Sequence, residues 1–307
     1  MKVTYYPAAA GLMTIKIKYK GGHVLESPYY VHCPSGRAPI VYANLKMPFG
    51  LVFWRNSLFV TDMDQNTNTI FEFPAVGLPR AFKTGLNSPR AISIHAGDFY
   101  IADGKNNKII VVTLPDSRDK MSIGANGKAD GQFAVPRQAM VLPDENLLVC
   151  DTDNCRLQLL TKVYNGGNLQ WQFLKKIGSS GDQPGQFKYP LSTAVSPTTN
   201  EIAVADCDND RIQFFDLNLN YLGKLGKAEG ITFNGPNSVT FDRMGNLLVL
   251  ELRGNCIKVF SPERKLIMAL GKEGTGLGEL QLARAVAIGP DGSIAVTDTG
   301  NKRVLFF

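Results

Sequence analysis

Six times along the chain an apolar strand runs into an acidic residue, and a short polar turn and a second apolar strand follow. The copies read SLFVTD ending at Asp62, DFYIAD at Asp103, NLLVCD at Asp151, EIAVAD at Asp206, NLLVLE at Glu251 and SIAVTD at Asp298. Successive acids are 41, 48, 55, 45 and 47 residues apart, a mean of about 47, the length of one β-propeller blade. A repeat of this length binds the fold tightly, because each unit buries its apolar face only against its neighbours. Six units are expected to close into a ring, with equivalent loops gathered on one face. Function is expected on that face rather than in a catalytic cleft.

Each repeat holds four strand signals of period two. The first follows a proline or its equivalent: MPFGLVF, SPRAISI, VPRQAMV, YPLSTAV, GPNSVTF and LARAVAI, the last with Ala283 in the proline position. The acid-ended strand is second. The third is β-branched or aromatic (NTIFEF, KIIVV, RLQLL, RIQFF, CIKVF, RVLFF), and the fourth is marked by WQFLKKIG, YLGKLG and LIMALG. Glycine-rich connections at 124–133, 178–187 and 271–280 lack the G-x-x-x-x-G-K-[ST] of a phosphate-cradling loop. Their glycines suit positive φ where one blade turns into the next.

The sixth repeat stops at Phe307 after its third strand, which would leave an unpaired edge. Pro39–Leu45 (PIVYANL) is expected to supply the missing strand and join the two ends of the chain. Residues 1–36 fall outside the repeat and read as three short strands, so the expected division is 1–36 and a six-bladed ring over 37–307.

An apolar fraction of 44% and a charged fraction of 20% describe a globule with ample core, and no run of 18 apolar residues suggests a membrane span. Cys33, Cys150, Cys155, Cys207 and Cys256 form no C-x-x-C pair; they read as free thiols of a reducing compartment, and a cytoplasmic location is expected. A formal charge of +6 leans toward an anionic partner.

The first residues, with Val3, Tyr5, Pro7, Gly11, Ile15, Ile17, Tyr19, Gly21, Val24, Ser27, Pro28, Tyr29 and Val31, resemble the last third of a filamin-type immunoglobulin repeat. The turns DTDNCRLQ (151–158), DCDNDRIQ (206–213) and DTGNKRV (298–304) match the D-x-x-N-x-R of NHL repeats. Blade 5 departs, with Glu251 for the acid and Cys256 for the arginine. Together these resemble the C-terminal half of a tripartite-motif NHL protein. The resemblance implies an all-β, six-bladed propeller whose top face binds messenger RNA, as a single-stranded motif or a hairpin, for translational repression. It implies as an alternative a protein-interaction module of a ubiquitin ligase whose RING part is absent from this sequence.

The residue after the proline position should border the central channel: Phe49, Arg90, Arg137, Leu191, Asn237 and Arg284 for blades 1 to 6. Ring closure would make Arg284, Phe49, Arg90 and Arg137 a continuous arc, with guanidiniums for phosphate or base edges and an aromatic ring for stacking. Asn237 is included among the RNA-contact candidates. Arg156, Arg211 and Arg303, with Lys108, lie five residues after a repeat acid, a spacing that suits a structural staple inside each blade. The acids Asp153, Asp208 and Asp210 are expected to repel phosphate around blade 4.

Enzymatic readings rank lower. His23, His32 and His95 are the only histidines and do not cluster in the sequence, and no serine–histidine–acid set or additional oxygen-ligand cluster is visible. No catalytic activity and no cofactor are expected. The expected partners are RNA and protein effectors, with neither membrane nor DNA.

Overall fold

The computed structural model describes residues 45–75, 78–114 and 117–307 throughout, and the backbone of three strands before them. Those three strands, Lys2–Pro7, Leu12–Lys18 and Val24–His32, form an antiparallel sheet in sequence order. The expected boundary after residue 36 and the strand expected at Pro39–Leu45 fall outside the described residues, Leu45 excepted.

From Pro48 onward the chain makes six antiparallel sheets in meander order: five of four strands and a sixth of three among the described residues. This is a six-bladed β-propeller. In every blade the first strand is innermost: Pro48–Trp54, Pro89–His95, Gln138–Val141, Pro190–Val195, Pro236–Phe241 and Ala285–Ile288. The acid-ended second strands are almost wholly buried, since both faces pack against neighbouring blades. That explains their near-continuous apolar runs. Blades 1 and 2 also have fourth strands, Arg80–Lys83 and Arg118–Ile123, which carry too much charge to stand out in the sequence.

Six apolar clusters form the core, and most bridge two blades. One joins Tyr100, Ile109 and Phe133 to Leu147 and Val149. Another joins Leu45, Leu58 and Val60 to Ala295 and Val304, across the seam between first and last blade. At the same seam Thr297 Oγ1 donates to the Phe49 carbonyl at 2.7 Å, and Phe53 meets Phe306 edge-on at 6.3 Å. The inner strands pack so closely that a Cβ on Gly50 would stand 2.5 Å from the Arg90 carbonyl oxygen. Only glycine fits there.

The three glycine-rich connections adopt one shape, each closed by a bridge: Asn126 with Phe133, Ser180 with Phe187, Glu273 with Leu280. Gly131, Gly185 and Gly278 take φ values of 75°, 77° and 76° in them, and Phe133, Phe187 and Leu280 are fully buried beneath. The loops before the first strands and the turns between second and third strands share one face, called here the upper face.

Candidate functional site

The repeat acids organise the upper face. Asp103, Asp151, Asp206 and Asp298 each accept, at 2.6–2.7 Å, the backbone N–H two residues before the proline position of their own blade. In blades 3, 4 and 6 the motif arginine completes the arrangement. Arg156, Arg211 and Arg303 donate from Nε to the acid's second oxygen at 2.7 Å. Their remaining N–H groups reach three carbonyls of the glycine-rich loop, as Arg156 does to Lys128, Ala129 and Gln132. The motif asparagines Asn154, Asn209 and Asn301 tie the same acid to the same loop. A guanidinium so saturated has little left for a ligand, and these arginines sit as staples.

Lys108 differs from the expectation that grouped it with them. It is exposed and makes no ion pair among the described residues, while Asp103 is served by Asn106 Nδ2 at 2.8 Å. Blade 5 restores its staple by another register. Lys258, two residues beyond Cys256, places Nζ 2.5 Å from Glu251 Oε1 and donates to the Thr232 carbonyl at 2.6 Å. The longer acid reaches the later cation.

At the hub the six residues after the proline position come together. Phe49 is 7% exposed and forms a floor rather than an open stacking platform. The guanidinium carbons of Arg90, Arg137 and Arg284 stand 5.0, 5.5 and 5.6 Å from the centre of its ring, close enough for cation–π attraction. Arg90 also donates to the Met63 sulfur at 2.9 Å, and none of the three forms an ion pair among the described residues. Leu191 and Asn237 are buried opposite, around a cavity of about 30 Å³, space for one or two waters. Asn237 Nδ2 donates to the Arg284 carbonyl.

Burial, followed by repulsion from Arg137 and Arg284, pushes Arg90 down from the usual arginine range to about 10. Burial lowers Arg137 and Arg284 as well. Three half-buried cations are thus held together at the hub with no direct ion pair among the described residues. Asp153, expected to repel phosphate, is the carboxylate whose field favours the charged forms of Arg90 and Arg137. The other two acids of that expectation are neutralised: Arg253 crosses from blade 5 to Asp208 at 3.2 Å and Asp210 at 3.1 Å.

The sequence reading missed Tyr189. It precedes the proline of blade 4, is 41% exposed, takes φ of 61°, and lies close enough to Arg90 and Arg137 to influence both. Ser88, Val135, Gly235 and Leu282 are its equivalents, also at positive φ. With Met47 and Leu282, 43% and 49% exposed, Tyr189 gives the hub a partly apolar rim. Lys105, Lys108, Lys128, Lys188 and Lys302 add to the same face exposed cations that form no ion pair among the described residues. Among the described residues no group of three His, Cys, Asp or Glu side chains is arranged to hold a metal, and His95 ends the inner strand of blade 2 at the opposite face, 3.2 Å from Glu145.

No family model matches the chain. It is 27% identical over 175 residues to the Drosophila melanogaster protein brain tumor, covering 54% of this chain and 16% of that protein. It is 27% identical over 154 residues to the mouse E3 ubiquitin-protein ligase TRIM32, covering 46% and 22%. A probable peptidyl-α-hydroxyglycine α-amidating lyase of Caenorhabditis elegans is 25% identical over 224 residues, covering 71% and 63%. The chain thus spans less than two thirds of the length of these relatives. Among solved structures, a Bacteroides thetaiotaomicron protein of unknown function superposes with a TM-score of 0.69 at 12% identity, over 97% of this chain and 82% of that one. That likeness is one of fold. No helix among the described residues is long and apolar enough to cross a membrane.

Proposed function

We propose that the propeller is an RNA-binding module that takes single-stranded RNA on its upper face, with Arg90, Arg137 and Arg284 at the centre. The observation that carries this reading is the convergence on one aromatic ring of three guanidiniums that form no ion pair among the described residues, ringed by exposed lysines. Phosphates would meet the arginines, and bases would stack on the exposed rim, where Tyr189 offers a face. The similarity to brain tumor and TRIM32 supports an interaction module in general, and the D-x-x-N-x-R resemblance adds messenger RNA and translational repression in the cytoplasm. The amidating-lyase relative raises a catalytic alternative. Proton transfer near neutral pH calls for a group titrating near pH 7, whereas the hub offers arginines, an amide and hydrocarbon.

A protein-interaction reading draws on a different observation, the apolar rim of Met47, Tyr189 and Leu282. Photocrosslinking against pools of single-stranded RNA, duplex RNA and peptides separates the two. Single strands crosslinked to upper-face segments, above all around Tyr189, are the expected result. Crosslinks to peptides alone would replace the RNA reading with the protein one.

A further inference from the structure

We infer that the hub receives a phosphomonoester at the end of an RNA strand, in preference to an internal phosphodiester. The inference rests on the RNA reading of this face and specifies which chemical group enters its centre.

Arg90, Arg137 and Arg284 surround one ring and approach from three different blades. Arg90 Nε and Arg137 Nε are buried and find no acceptor among the described residues, although a buried N–H without an acceptor costs about 1–3 kcal/mol. A ligand that repairs this must concentrate negative charge and offer several acceptors at one point. A phosphomonoester carries about −1.5 to −2 charge at neutral pH and three terminal oxygens. Each oxygen can face a different guanidinium. An internal phosphodiester has one charge and two free oxygens, so one of the three cations would go unmatched.

Shape points the same way. Phe49 and Leu191, 7% and 8% exposed, close the floor, and the cavity beneath holds only about 30 Å³. A strand could bring an internal phosphate here only by entering the recess and turning back out of it. A strand end needs one way in.

The test compares one short unstructured RNA in three forms, with a 5′-phosphate, with a 3′-phosphate, and with hydroxyls at both ends, at fixed salt. Wild type and Arg284→Gln are measured by fluorescence anisotropy, with inorganic phosphate as competitor; Arg90→Gln serves if the first variant fails to fold. One phosphorylated form is expected to bind at least tenfold tighter than the hydroxyl form. Inorganic phosphate should erase that advantage, and the variant should lack it. Equal binding of all three forms by wild type, with loss in the variant, overturns this inference and leaves the RNA reading standing. Binding of none of them removes both.

Discussion

Asn107 Oδ1, in the turn between the second and third strands of blade 2, accepts the backbone N–H of Val135 in blade 3 at 2.8 Å. Val135 is β-branched and sits at φ of 46°, a conformation such residues avoid unless held. The bond is one of a series: Asn68 holds Ser88, Asp210 holds Gly235 and Asn255 holds Leu282. Between blades 3 and 4 the series breaks, because Cys155 occupies the acceptor position facing Tyr189.

Two substitutions test this latch. Asn107→Ala should lower stability by about 1 kcal/mol, the usual worth of such a hydrogen bond, and Cys155→Asn should raise it by a similar amount by extending the series to Tyr189. Thermal unfolding of both variants checks the pair. Opposite signs are expected.

The staples predict a sharper loss. Arg211 and Asp206 have side chains 7% and 0% exposed, so Arg211→Met strands a buried carboxylate and should cost about 3–5 kcal/mol. In blade 5 the same loss should follow Lys258→Met and not Cys256→Ser, since Lys258 carries the pairing. Chemical denaturation of the three variants would expose a wrong assignment of the blade 5 partner.

The hub arginines behave in the opposite way. A cation whose pKa falls on folding holds its proton less tightly in the native state, so its charge costs stability wherever both states carry it, neutral pH included. For Arg90 that cost fades as pH rises through about 10 toward the usual arginine range. Arg90→Gln removes the cost, so the variant should melt higher than wild type at pH 7. The gap should narrow as the pH passes about 10. A variant that melts lower at pH 7 would mean that Arg90 is structural.

Salt distinguishes the binding mode. With about three negative charges neutralised on the upper face, those of the terminal phosphate and of the phosphodiester behind it, log affinity should fall against log salt with a slope of about −2. Arg137→Gln should flatten it by about 0.7, whereas Arg211→Met should leave the slope of the folded fraction unchanged.

Much of this architecture was legible in the sequence because blade construction is local. An apolar run ending in Asp206, a tight turn and an arginine five residues on encode a strand, its return and the staple together, and all three close within one blade. The residue after each proline was legible too, since register alone carries Arg90, Arg137 and Arg284 to the axis. Contacts between blades were not legible. Arg253 chooses Asp208 and Asp210 across more than 40 residues, and Lys258 takes a place that the motif assigns to position 256. Tyr189 escaped notice because its exposure follows from a left-handed backbone that no residue type there announces. Phe49 was read as an open platform; its burial comes from three side chains, contributed by three other blades, that close over it.

The most direct test of the arginine hub is the single-stranded RNA affinity of the triple variant Arg90→Gln/Arg137→Gln/Arg284→Gln, measured beside wild type at equal salt after its fold is verified by thermal unfolding. Loss of at least about 2.7 kcal/mol, a hundredfold in affinity, is predicted. Affinity within about twofold of wild type in a folded triple variant would contradict the account.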